Sequence, residues 1–160
     1  MFTKIKDLYY SFITGIANII NWWPIIWNDR DFDHSYFHIV MLHKLKNMEK
    51  FFRSDYVWSA DAIERANDIK YAIGLLQRII DNVYIEEALK PFYEKYPDYE
   101  FDLKTEPCPD NPNLNQLIDN DTEDQKDLML ACFKNEEKLR EKDYDRFYRF
   151  IRKHIQEWWD

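Results

Sequence analysis

Glycine is scarce in this chain of 160 residues, which contains only Gly15 and Gly74. Phosphate-binding loops of the Walker and Rossmann kinds need several closely spaced glycines, so these nucleotide-binding folds are excluded. Five of the six prolines lie between Pro91 and Pro112, so turn-forming residues are rare elsewhere. Few turns favour long helices. We therefore predict an all-α fold, with five to six amphipathic helices in a bundle and a long acidic loop.

The chain also has little cysteine and no excess of basic charge. Cys108 and Cys132 lack the spacing of a metal or redox motif, which favours a reducing compartment. The 22 basic and 30 acidic residues give a net charge of −8. Proteins that bind duplex DNA normally carry a basic face, so we expect no binding to duplex nucleic acid.

The length fits one helical domain over residues 1–160. Residues 97–127 contain ten acidic residues and two lysines, which equals the net charge of the whole chain. Within this region, residues 97–121 also contain four prolines and little apolar content. We predict that 97–121 is an acidic loop and the least ordered segment of the protein.

The segment from Leu8 to Asn28 has 21 residues and no charge. Its length and its aromatic edges fit a membrane-spanning helix. However, polar residues recur every three or four positions and form one continuous stripe, which indicates an amphipathic helix. The stripe consists of Lys4, Asp7, Ser11, Thr14, Asn18 and Asn21. A signal peptide would need a cleavage site of small residues, and this segment has none. We therefore expect no membrane association.

This first helix is predicted to run from Thr3 to Trp23, because Pro24 disfavours helical geometry in the residue before it. Its apolar residues cover more of the circumference than one neighbouring helix can bury. The cover could come from the same chain or from a second subunit. We expect a homo-oligomer, with Leu8, Phe12, Ile16 and Ile19 or the opposite edge of the helix in contact with the partner.

The later helices are predicted from apolar periodicity and capping residues. Helix 2 should begin after Asp31 or Asp33 as the N-cap and end near Arg53, with an inward face formed by Phe37, Met41, Leu45, Met48 and Phe52. Helix 3 should begin after Ser59, with an apolar stripe formed by Ala66, Ile69, Ile73, Leu76, Ile80 and Val83. A short helix over residues 86–96 should break or kink at Pro91. The capping box of Thr122 and Gln125 should start a helix to about Glu141, and Asp143 should cap a last helix.

The most unusual segment places Trp22, Trp23 and Trp27 within six residues, followed by three alternating aspartates around Arg30. The candidate ligand-binding residues are Trp22, Trp23, Trp27, Arg30, Asp31, Asp33 and His34. In a binding site, the indoles would stack on a base or on a partner's side chain, and Arg30 would meet phosphate or carboxylate. Alternatively, the same residues fix the turn between the first two helices, with Arg30 paired to Asp29 or Asp33.

No residue pattern predicts a catalytic, metal or cofactor site. His34 and His38 stand one helical turn apart and could share a metal with Asp31, but the sequence offers no matching second set of ligands. All-α nucleotide pyrophosphohydrolases hold magnesium with paired carboxylates on adjacent helices. The nearest carboxylates here lack that two-plus-two spacing: Asp61, Glu64 and Asp68, then Glu86 and Glu87, and later Glu136, Glu137 and Glu141. Neither cysteine has a histidine nearby in sequence, as a nucleophile would need.

Four segments together resemble a family of small proteins encoded by tailed bacteriophages. They are the run from Trp22 to Asp33, the helix from Lys44 to Phe52, the Leu75-Leu76-x-Arg78-Ile79-Ile80 motif, and the terminal Trp158-Trp159-Asp160. The resemblance implies a viral protein made in the cytoplasm of the host bacterium. It implies no activity and no catalytic residue.

Two functions of different classes fit these observations. The first is a non-enzymatic bacteriophage protein that binds a host protein or sequesters a small nucleotide used in defence. The second is a metal-dependent hydrolase like the nucleotide pyrophosphohydrolases. A virion or assembly component is a third possibility. We favour the first, because no set of residues matches a catalytic signature.

Overall fold

The computed structural model describes residues 2–27, 29, 35–100, 105–117 and 121–158. These residues are predominantly helical and confirm the predicted all-α class. The elements, in chain order, are α1 (Phe2–Ile26), α2 (Tyr36–Phe52), α3 (Ala62–Asp81), α4 (Tyr84–Lys95), β1 (Thr105–Cys108), β2 (Asn111–Leu117) and α5 (Glu123–His154). The chain divides into two compact units. The first unit comprises Met1–Ile80 and Phe147–Asp160, and the second comprises Asp81–Arg146.

Helix α1 continues through Pro24 to Ile26, so the predicted end at Trp23 is wrong. Proline cannot donate a backbone hydrogen bond and therefore removes one bond from a helix interior. Helical hydrogen bonding nevertheless continues past Pro24, because the Trp27 amide donates to the Trp23 carbonyl at 3.0 Å. The aromatic residues at this end are thus presented on a helix.

The core of the first unit forms between α2, α3 and the end of α5. In α2, Leu45 and Phe52 are buried as predicted, whereas Phe37 is 61% exposed and His38 is buried in its place. The inward face of α2 is therefore rotated from the predicted one. In α3, Ala66, Ile69 and Leu76 of the predicted stripe are fully buried, and Ile73 and Ile80 are half-buried. The placement of Val83 in this helix is wrong, because α3 ends at Asp81 and Val83 is the N-cap of α4. The end of α5 adds Phe147, which is fully buried. Phe150 of α5 packs edge-on against Tyr71 of α3, with ring centroids 4.9 Å apart.

In the second unit, α4 runs through Pro91 and buries Tyr84, Ala88 and Phe92 on one side. The predicted capping box at the start of α5 is confirmed: the Thr122 amide donates to the Gln125 side-chain oxygen at 2.8 Å, and the Gln125 amide donates to the Thr122 hydroxyl at 3.3 Å.

Helix α5 then continues to His154 without the break predicted near Glu141. The predicted last helix is therefore part of α5, and Asp143 is not its cap. The Asp143 carboxylate is buried within α5 and accepts a hydrogen bond from the Tyr84 hydroxyl at 3.2 Å. The hydrogen bond to Tyr84 thus explains why Asp143 lies inside α5, although its sequence context favoured the start of a helix.

The region predicted as an acidic loop contains an antiparallel hairpin, so the prediction of a loop is wrong for the residues of β1 and β2. Strand β1 pairs with β2 in the register Thr105 to Leu117 and Pro107 to Asn115, with an irregularity after Pro107. Pro109 and Asp110 form the connection, as is typical of turn residues. The prolines obscured these strands, because proline is tolerated only on sheet edges or at bulges.

Candidate aromatic contact site

The three tryptophans of the predicted site have two different environments. Trp22 is half-buried, and its ring lies edge-on to His43 of α2 with ring centroids 4.7 Å apart. Edge-to-face packing of this kind is favourable beyond the apolar area it buries. Trp22 therefore joins the C-terminal end of α1 to α2, as the structural interpretation of this segment requires.

Trp23 and Trp27 lie on the surface of the same helix end. They are 50% and 66% exposed, and their ring centroids are 4.6 Å apart at an interplanar angle of 39°. Residues four positions apart on a helix are neighbours, so the two indoles form one continuous apolar surface. This Trp23–Trp27 pair has the exposure that the binding interpretation requires.

Of the charged residues next to these rings in sequence, only Asp29 is among the described residues. Arg30, Asp31, Asp33 and His34 lie outside the described residues, so their roles as ligand-binding residues stay predictions. The predicted N-cap of α2 at Asp31 or Asp33 is wrong, because the helix begins at Tyr36 and Ser35 is its N-cap. Asp29 is described and exposed. Burial, and then the negative charge of Asp29, raise the pKa of the Tyr36 hydroxyl at the start of α2.

Exposed apolar surface extends along nearly all of α1. Nine large apolar side chains between Ile5 and Ile20 each expose 40–72% of their surface. Soluble monomers seldom expose a continuous apolar patch of this length. The sequence predicted that other helices must pack on two sides of α1. Among the described residues, these apolar side chains of α1 are instead exposed to solvent. None of the described helices combines the length and apolar character needed to cross a bilayer.

Two of the histidines are accounted for by packing in the first unit. Buried His38 is hydrogen-bonded through Nε2 to the Tyr148 hydroxyl at 2.9 Å. His43 Nε2 is buried under Trp22 and has no hydrogen-bond partner among the described residues. In the described part of the chain, no three His, Cys, Asp or Glu side chains are grouped so that they could hold a metal ion.

Three of the carboxylates considered for a hydrolase have other partners. The Ser59 hydroxyl donates to Asp61, and this bond, together with the Arg65 guanidinium, holds the pKa of the Asp61 carboxyl below its usual range. Asp68 lies 3.6 Å from Nδ1 of His154, and Glu136 lies 3.4 Å from the Arg140 guanidinium. These contacts are typical of helix surfaces with paired charges.

Sequence reasoning missed a cavity of about 510 Å³ in the second unit, next to the end of α4. Its lining includes three acidic residues, Asp98, Glu100 and Asp121, and one basic residue, Lys95. Lys95 is already paired with Asp124 at 2.6 Å. The acidic walls would repel a phosphate group. Acidic residues far apart in the sequence meet here, and no short motif in the sequence marks their meeting.

Comparison with protein-family models, with curated proteins and with solved structures gave no match to this chain.

Proposed function

We propose that this chain is a non-enzymatic binding protein of the bacteriophage type, which acts in the host cytoplasm by contacting a host protein. The observation that carries this proposal is the Trp23–Trp27 pair, an exposed apolar surface at an ordered helix end. Tryptophan is enriched among the residues that contribute most to protein–protein binding. The four sequence segments that resemble tailed-phage proteins support the viral origin.

A protein partner fits this surface better than a small nucleotide. Small ligands bind in concave sites that bury most of their surface, whereas the Trp23–Trp27 pair is exposed on a convex helix. The cavity next to α4 has acidic walls, which would repel the phosphates of a nucleotide. Sequestration of a nucleotide would therefore need Arg30 to supply the positive charge.

The first experiment separates binding from catalysis. Purified protein is incubated with a panel of nucleotides and Mg²⁺ or Mn²⁺, and the products and retained ligands are identified by mass spectrometry. We expect neither turnover nor retention. Turnover would identify a hydrolase and overturn the proposal. Retention that is lost in a folded Arg30→Ala variant would identify a nucleotide-binding protein.

The second experiment tests the surface by cross-linking in bacterial cells. Wild-type protein is compared with a Trp23→Ala/Trp27→Ala variant and with Trp58→Ala, since Trp58 lies in the loop after α2 and is 93% exposed. We expect a specific host protein to be cross-linked by the wild type and by Trp58→Ala but not by the double variant. Equal cross-linking by all three would show that this pair is not the contact site.

A further inference from the structure

We infer that the α1 helices of three or four copies of this chain pack together into a closed helical bundle. The contact surface is the α1 stripe, which we define as Ile5, Tyr9, Phe12, Ile16 and Ile19. All five side chains are exposed in the single chain. In the coiled-coil register of the stripe, Trp23 falls at the next a position and Trp27 at an e position, so the Trp23–Trp27 pair lies C-terminal to the stripe on the same side of α1.

The spacing of the α1 stripe indicates another helix as its partner. Its residues are separated by four, three, four and three positions, which is the a/d pattern of a coiled coil. The uncharged polar residues Ser11, Thr14, Asn18 and Asn21 then fall at the c and f positions, which face outward in a coiled coil. A helix with this arrangement buries its apolar side against other helices and leaves its polar side in water.

Charge favours a second copy over a different helix. Helical partners of different sequence are usually selected by charges beside the a/d positions. Beside the stripe, Lys6 at an e position carries a charge, and from Leu8 to Asn28 there is none that could repel another copy or select a foreign partner. Like surfaces can therefore meet along most of the stripe without charge repulsion, and closed symmetric association is the commonest form of protein oligomer.

The width of the apolar side predicts more than two copies. Ile13 and Ile20 fall at e positions and Leu8 at a g position, and all three are exposed. A two-helix coil would leave much of these side chains in water. Isoleucine at both a and d, as at Ile16 and Ile19, also favours trimers and tetramers over dimers.

The area is sufficient for a stable assembly. Tyr10 falls at an outward b position, so eight apolar side chains at the a, d, e and g positions contribute. At about 80 Å² each they supply on the order of 600 Å² per copy. Stable interfaces begin at about 600 Å² per partner. A lipid surface fits less well, because membrane-surface helices usually carry Lys and Arg on the polar side, and the c and f residues from Ser11 to Asn21 are uncharged.

The location of the α1 stripe agrees with the packing inside one chain. Trp22 contacts α2 at the C-terminal end of α1, so other elements of the same chain occupy the space at that end. The stripe lies N-terminal to this contact, where the large apolar side chains from Ile5 to Ile20 are exposed to solvent.

The test is the mass of the full chain in solution, measured by sedimentation velocity and light scattering at about 1–100 µM protein, a range that covers micromolar dissociation constants. We expect three or four times the chain mass of 19.8 kDa. Ile16→Asp should reduce this to the mass of a monomer, because it places a charge on the stripe. Asn18→Asp adds the same charge at an outward position and should leave the assembly intact.

Hydrogen exchange in α3, where Ile69 and Leu76 are fully buried, shows whether the Ile16→Asp protein is folded. A wild-type monomer or dimer would overturn the inference, as would an oligomer that folded Ile16→Asp leaves intact. Phosphatidylcholine and phosphatidylglycerol vesicles test the lipid alternative: a monomer that binds them through the same stripe would identify a membrane-surface helix instead.

Discussion

The hydroxyl of Tyr84 reaches the carboxylate of Asp143 at 3.2 Å, across 59 positions of sequence. This hydrogen bond joins the first turn of α4 to the middle of α5 inside the second unit. The Arg146 guanidinium lies 3.7 Å from the other carboxylate oxygen. Because Tyr84 and Asp143 are both buried, the hydroxyl replaces hydration that the carboxylate lost on folding.

Tyr84→Phe removes this donor while keeping the ring. We expect the free energy of unfolding to fall by about 1–3 kcal/mol, the usual cost of taking a partner from a buried polar group. Urea denaturation followed by circular dichroism measures the change. Tyr93→Phe is the matched control, since Tyr93 is on the same helix and partly exposed, and it should change stability by less than about 0.5 kcal/mol. Equal effects would show that the bond contributes nothing specific.

The pair of Lys95 and Asp124 predicts a pH dependence for the contact between α4 and α5. Hydrogen bonds from Lys95 and then Tyr96 lower the pKa of the Asp124 carboxyl from 3.8, and the bond to Asp124 raises the pKa of Lys95 from 10.5. The contribution of Asp124 is fully present above pH 3.8 and is lost as the pH falls through its lowered pKa. The contribution of Lys95 is fully present below pH 10.5 and is lost as the pH rises through its raised pKa.

Thermal melts of the wild type and Asp124→Asn should therefore differ most between pH 3.8 and pH 10.5, and converge once the pH falls below the lowered pKa of Asp124 or rises above the raised pKa of Lys95. Both side chains are exposed, so added salt should also reduce the difference. Asp127→Asn, one turn further along α5, is the control and should show no such window. A difference that persists unchanged below the lowered pKa of Asp124 would contradict an ionic origin.

Trp22 and Trp23 are adjacent but should differ in their effect on stability. Trp22→Ala removes the contact with His43 and should speed hydrogen exchange in α1 and around His43 in α2. Trp23→Ala removes an exposed ring and should leave exchange in α2 unchanged. Both substitutions are made in the Ile16→Asp background, so that assembly does not contribute. Similar exchange in the two variants would mean that Trp22 does not fix α1 to α2.

We also expect limited proteolysis to cut first within residues 97–121. The described side chains of the β1–β2 hairpin are exposed except for half-buried Cys108, so little apolar contact holds this segment closed. Mass spectrometry of the fragments from a brief elastase digestion identifies the first cut. An initial cut inside α3 or the middle of α5 would contradict this prediction.

Features that depend on residues close together in the sequence could be predicted, whereas features that depend on distant residues could not. The capping box at Thr122 and the apolar stripe of α3 were predictable, because each depends on residues within one or two turns. The role of Asp143 was not, since its partner Tyr84 is distant in sequence. The rotated face of α2 has a similar cause: His38 is amphipathic, and its hydrogen bond to Tyr148 lets it enter the core in place of Phe37.

The candidate site was predictable only in part. A cluster of tryptophans marked a special segment, but three identical side chains could not reveal which of them packs inward. The helical phase decides this, because Trp22 contacts α2 whereas Trp23 and Trp27 pack on each other and are exposed. Because Pro24 indicated a helix end at Trp23, the sequence did not predict that Trp27 would lie one helical turn after Trp23.

The division of the first unit into two separate stretches of chain affects the order of folding during synthesis. Phe147 and Trp158 are buried in this unit, yet they are translated after the whole of the second unit. Domains usually fold in the order in which they leave the ribosome. Here the N-terminal residues must wait for the C-terminal ones, so residues 81–146 can complete their core first while α1 to α3 are still missing part of theirs.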